Sequence, residues 1–432
     1  MEYQTIIADN CTAFFLGTLR CEKQAFAFFG DKARWEKEAK NMHLSVDEAL
    51  CDGLPECHSI SETERNNLST LFYEGVINGL YPDGHTKLHF PYDKVKHYSV
   101  GIAKDVPLFQ NGDATIKLGV KKLHFYCFPY GFIIFALEVE WHNTRVDDII
   151  IQCRQIRNVY HYADNHIDIR FLSLFSPLLT LYNLSHDEYV VTNNYTDDAV
   201  RRYAYVLHKA NKLKTYMVLH LAQGEDAKLD SVYTFNHLLY DVGTMSGVGA
   251  SNEDKHPFSP SSHYFDNIMT NNVVDCFGNW RALALVDSFC VLMLPNADKY
   301  QYEKMWGDYY FNYMYVNVIY IKSFMLDMND RYTNYKPSSQ IVKEFRLFDR
   351  TFNFYHVSYN FLPRVIYTYM RRGLELDDEL ASVQRQIETY YEQREHDSDK
   401  KTNRFLLLLT ILSAIALAND IWELIIKLIE QL

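Results

Sequence analysis

Near its C-terminus the chain carries the run Phe405-Leu-Leu-Leu-Leu-Thr-Ile-Leu-Ser-Ala-Ile-Ala-Leu-Ala418, with no charge inside it. A helix that is apolar on every side has to be covered on every side, so this stretch constrains the chain more than any other. Lys400, Lys401 and Arg404 precede it, Asn419 and Asp420 interrupt it, and Ile421 to Ile429 resumes it. A membrane span takes about 20 apolar residues. Phe405 to Ile429 reaches that length if Asp420 and Glu423 face protein or water, and the basic residues before it set that end in the cytoplasm. The alternative is an amphipathic helix in a coiled-coil oligomer. Just upstream, Leu376, Leu380, Val383, Ile387 and Tyr390 step by four and three in turn, a heptad seam for packing along another helix.

The body reads as α+β. Leu123–Phe128 and Gly131–Glu140 flank Pro129-Tyr130 and predict a hairpin. Lys214–Leu221 and Trp280–Leu294 predict buried strands, and Lys87–Phe90 and Ala114–Leu118 shorter ones. Lys32–Met42, Asp147–Tyr160 and Asp197–Ala210 predict helices, and Ile167–Leu181 is apolar and partly strand-like. Ser59 to Glu62 reads as a turn and helix cap. Tyr302–Arg331 predicts one long aromatic helix with Tyr309, Tyr313, Val316, Tyr320 and Phe324 on one side. Phe345, Phe348, Phe352, Tyr355, Tyr359 and Leu362 form a second seam, which Pro363 kinks, and Gly373 stands at the helix end.

The net charge of −12 argues against a grip on nucleic acid through phosphates. The eight cysteines form no CxxC pair and read as buried free thiols, and no signal peptide is expected. His161, Asp164, His166 and Asp168 concentrate metal-ligand types without a helical His pair, so they read as solvated loop residues and no metal site is assigned. Asp287, in an apolar strand region, reads as a buried, hydrogen-bonded carboxylate at a strand turn. No nucleophile-elbow, kinase or Cys–His signature is present, so no catalytic residue is assigned and an enzyme is not expected. Residues 241–263 form the clearest loop. It lacks phosphate-loop and dinucleotide fingerprints, and Gly243, Ser246, Gly247 and Gly249 are its candidate ligand contacts.

A globular body, long stalk helices and a C-terminal apolar segment together resemble the CorA family of divalent-metal channels. Asn403, Leu409 and Thr410 stand at the spacing of that family's pore-helix start. The family's Gly-Met-Asn mouth is absent, as is its basic tail. The resemblance therefore implies either a membrane effector or channel that senses a ligand, or a divalent-cation transporter. CorA-like proteins without the signature are linked to type III CRISPR antiviral defence, which implies a nucleotide ligand such as an adenosylmethionine–AMP conjugate. The remaining alternative is a soluble coiled-coil binding protein.

The expected fold class is thus α+β: a cytosolic α/β ligand-sensing domain over 1–300, a helical stalk over 301–404 and a transmembrane helix over 405–432. The expected location is the inner membrane with the N-terminal body in the cytoplasm, and the expected partners are the lipid bilayer and further copies, five by resemblance. A nucleotide or a divalent cation is the candidate ligand. In such a ring Asn403, Thr410, Ser413 and Asp420 share one helix side by heptad spacing and are the pore candidates. Asp420 equally marks the membrane boundary.

Overall fold

The computed structural model describes residues 5–20, 51–81, 95–102, 107–111, 114–117, 120–157, 213–252, 259–298, 304–307, 310–334 and 339–430. The expected elements at Lys32–Met42, Lys87–Phe90, Ile167–Leu181 and Asp197–Ala210, and the His161–Asp168 group, lie outside the described residues. The chain divides into two compact units, Met1–Phe324 with Arg346–Asp377, and Met325–Phe345 with Asp378–Leu432.

The described strands are β1 (Ile7–Arg20), β2 (Cys51–His58), β3 (Lys96–Ile102), β4 (Pro107–Asn111), β5 (Ala114–Lys117), β6 (Val120–Phe128), β7 (Phe132–Arg145), β8 (Lys214–Leu221), β9 (Val273–Phe277), β10 (Trp280–Ala284) and β11 (Ser288–Met293). β4 and β5 pair with each other; the other nine form one sheet in the order β2-β3-β6-β7-β1-β8-β11-β10-β9. Every neighbouring pair is antiparallel except β8 with β11. The β6–β7 hairpin closes over Pro129–Gly131, where Tyr130 and Gly131 take φ of 64° and 79°. Asp287 sits before β11 and is paired with Lys214 at 2.8 Å.

The described helices are α1 (Glu62–Ser69), α2 (Glu74–Leu80), α3 (Val146–Arg157), α4 (Phe235–Thr244), α5 (Ser262–Asn271), α6 (Phe311–Asn334), α7 (Ser339–Phe352), α8 (Phe361–Gly373) and α9 (Leu376–Glu430). α1 starts in a capping box between Ser61 and Glu64.

Successive strand residues point to opposite faces, and the two faces of the sheet differ in chemistry. On one, Leu123, Phe125, Cys127, Phe135, Met217 and Leu292 join Ile149 and Ile150 of α3 and Leu238 and Val242 of α4 in one apolar core. The other is aromatic. Phe128 stacks on Tyr320 of α6 at 4.1 Å, Tyr216 meets Tyr315 at 5.6 Å, and Phe132 meets Phe324 at 6.0 Å. Wide rings bury area here with few torsions to fix. Helices close on β10 from α4 and from α8: a Cβ on Gly243 would meet Leu283 at 2.6 Å, and one on Gly373 would meet the backbone of Ala284 at 2.8 Å.

The second seam does not run through one helix. α7 ends at Phe352 and α8 begins at Phe361, leaving Tyr355 and Tyr359 59% and 65% exposed. Pro363 falls in the first turn of α8, where a missing N–H costs nothing, so it kinks no helix.

In the second unit, Asn329 of α6 donates to Glu379 and accepts from Gln386 of α9, both at 3.0 Å, while Arg331 pairs with Glu344 of α7 at 2.8 Å. Met325, Met328, Ile341, Val342, Phe345, Leu380, Val383 and Ile387 are buried. Beyond Tyr390 every described side chain of α9 is exposed. Among the described residues no helix is long and apolar enough to cross a membrane. This overturns the expected C-terminal membrane helix and, with it, the inner-membrane location. The physical reason is length: the uninterrupted run Phe405–Ala418 spans roughly 21 Å as helix, against the roughly 30 Å of a hydrocarbon core.

Candidate functional site: a buried imidazole relay

The aromatic face of the sheet carries a polar chain toward its β2 edge. The pairing of β2 with β3 sets His58 opposite His97, and that of β3 with β6 sets Ser99 opposite His124. Lys122 of β6 lies opposite Glu138 of β7, so His124 reaches Glu138 diagonally along the same face. α6 lays Tyr313 across them. His97, His124 and Glu138 are each 4% exposed.

Three hydrogen bonds run in series. Tyr313 Oη lies 2.6 Å from His97 Nδ1, His97 Nε2 lies 2.9 Å from His124 Nδ1, and His124 Nε2 lies 2.8 Å from Glu138 Oε2. With both rings neutral and Glu138 ionised, one arrangement of hydrogens satisfies all three: the phenol donates to His97, His97 donates from Nε2 to His124, and His124 donates from Nε2 to the carboxylate. Lys121 reaches Glu138 at 3.4 Å and Glu140 at 2.6 Å, and its half-exposed ammonium ends the chain at the surface. His58 and Tyr126 stack on His97, each at 4.3 Å, and His58 is 2.6 Å from Ser99 Oγ.

Burial, helped by the neighbouring His124, His58 and Lys122, pushes the His97 imidazole well below its ordinary value and keeps it neutral. Burial also raises the Glu138 carboxyl, but the His124 hydrogen bond and the Lys121 charge outweigh it and hold Glu138 below its ordinary value. The relay clamps α6 to the sheet through three buried hydrogen bonds in series. Its ring nitrogens and carboxylate are engaged with one another, and among the described residues no His/Cys/Asp/Glu group suits a metal ion.

The sequence-derived candidates lie elsewhere. Asn403, Thr410 and Ser413 are exposed on α9, and the Thr410 hydroxyl donates to its own helix at Leu406 O, 2.8 Å away. Asp420 belongs to α9, with its side chain outside the described set. The loop residues gather around Asp241 of α4. Its carboxylate accepts from Tyr233 Oη at 2.7 Å, from the Gly249 and Ser251 amides at 2.8 Å each, and from Ser246 Oγ at 3.3 Å. Burial raises Asp241 to about 6 against these donors. The Val248 amide is taken by Asp147 at 2.9 Å. These loop donors therefore face carboxylates of the protein itself. Gly247 and Gly249 supply φ of 111° and 89°, and Gly243 the close approach to β10, which are backbone reasons for all three glycines.

Sequence reasoning missed the relay. One signal was available: His124 and Glu138 interrupt otherwise apolar strands at positions of one parity, as a buried polar pair must. No protein-family profile, curated protein or solved structure matches the chain, so the site's chemistry is read from its own geometry.

Proposed function

We propose that the chain is an oligomeric, non-catalytic binding protein in which α9 joins copies and each copy displays its sheet unit. The observation that carries this reading is the exposed state of an apolar helix. Phe405, Leu408, Leu412, Ile415 and Trp422 are 57–64% exposed; the first four follow one another by three, four and three, and Trp422 stands one heptad beyond Ile415, the spacing of a coiled-coil seam. Each such side chain taken fully out of water contributes roughly 1.5 kcal/mol or more. Five per helix supply an energy of the order that association requires.

Further copies of the same helix are the occupants the pattern supports. The heptad count through 405, 408, 412 and 415 passes Asn419, and a lone Asn in an apolar seam fixes register between identical helices. A closed symmetric bundle then covers every copy equally. The relay supports a binding role over catalysis, because its phenol is 2% exposed and its groups are spent on one another. The test is the solution mass of the full chain beside a variant carrying Leu408→Glu and Ile415→Glu, changes on exposed side chains that leave the fold alone. A monomeric wild type at micromolar concentration would sink the proposal.

A further inference from the structure

α2 with Tyr73 just before it, and the C-terminal end of α7 with the loop that follows, enclose an open groove of about 670 Å³. Tyr73, Gly75 and Asn78 form one wall, and Arg350, Phe354 and His356 the other. This volume falls within the range of small-ligand sites.

The walls are tied together before anything binds. The Tyr73 amide donates to Val357 O at 3.0 Å, Asn360 Nδ2 donates to Thr70 O at 2.6 Å, and Ser358 Oγ donates to Leu71 O. Gly79 lets α2 come up to the loop, since a Cβ there would meet the Phe354 ring at 2.8 Å. A groove held this way loses little entropy on binding.

Its charge is cationic and uncommitted. Among the described residues neither Arg350 nor His356 has a hydrogen-bond or ion-pair partner. The nearby Glu74 carboxylate is engaged by Arg65 and by Asn78, so it does not answer Arg350. In a chain of net charge −12, a guanidinium and an imidazole left open beside two aromatic rings select for an anion with a flat apolar body.

We propose that this groove binds a small aromatic anion, its ring against Phe354 and Tyr73 and its carboxylate or phosphate on Arg350 and His356. Calorimetric titration of the full chain with phenyl phosphate and, separately, benzoate tests it and separates the two anion types. Inorganic phosphate and phenol supply each half alone. Saturable binding is expected for at least one aromatic anion, with the halves weaker by about tenfold or more.

Two variants locate the site. Arg350→Ala removes an exposed cation and should weaken binding at least about tenfold. Gly75→Leu fills the groove, because a Cβ at Gly75 meets nothing within 4 Å, and leucine suits a helix better than glycine. It should abolish binding with a thermal midpoint at or above that of the wild type. The proposal is overturned if neither aromatic anion saturates, if inorganic phosphate binds as tightly as phenyl phosphate, or if both variants bind as the wild type does.

Discussion

Replacing His97 with glutamine should change how stability depends on pH. His97 is buried and its folded-state value lies well below the ordinary 6.5. Above about 6.5 both folded and unfolded states hold it neutral. As pH falls further, the unfolded chain takes a proton that the folded chain refuses, so stability drops by about 1.4 kcal/mol per unit until His97 itself protonates. Asp241 acts in the opposite sense. Its folded value is about 6 against 3.8 ordinarily, so stability rises by about 1.4 kcal/mol per unit as pH falls from about 6 to about 4. The two trends offset each other in the wild type, and the comparison between proteins isolates His97. Glutamine does not titrate, yet offers Tyr313 an acceptor and His124 a donor. At pH 7 His97→Gln should cost about 1–3 kcal/mol through lost stacking and imperfect hydrogen bonds. From pH 6.5 to pH 5 the gap should narrow by about 2 kcal/mol. Urea unfolding at pH 5, 6, 7 and 8 measures it. A gap that stays constant across that range would refute the burial of a neutral imidazole, with His58, His124, Tyr126, Tyr313 and Lys122 around it, as the cause.

Tyr313→Phe removes the phenol that donates to His97 at 2.6 Å, and should cost about 1–2 kcal/mol in the same urea assay at pH 7. Asp241→Ala strands the Tyr233 hydroxyl and the Gly249 and Ser251 amides. It should cost about 3 kcal/mol or more, with faster amide exchange at Gly249 and Ser251 as the local signature.

How much of this was legible in the sequence follows from the range of the forces involved. The β6–β7 hairpin was readable because Pro129, Tyr130 and Gly131 separate two apolar runs, and turn chemistry is local. α6 was readable from the spacing of Tyr313, Val316, Tyr320 and Phe324, all of them buried. The second seam misled because spacing alone cannot show a chain break. Tyr355 and Tyr359 keep the step of a heptad while the Val357 carbonyl between them accepts from the Tyr73 amide of the α1–α2 turn at 3.0 Å, a contact remote in sequence. The relay was hidden for the same reason, since Tyr313 and His97 are 216 residues apart and meet only once the sheet is assembled. At α9 the helix was readable and what covers it was not: an all-round apolar stretch satisfies several environments, and the 14-residue run of Phe405–Ala418 had to be set against a length requirement.

Sedimentation equilibrium of the full chain over a range of micromolar concentrations tests the role of α9 most directly. Assembly through α9 predicts a mass that is a whole multiple, two or more, of 50.8 kDa for the wild type, and 50.8 kDa for the chain carrying Leu408→Glu with Ile415→Glu. A wild-type mass of 50.8 kDa at every concentration, or a variant that assembles as the wild type does, would contradict it.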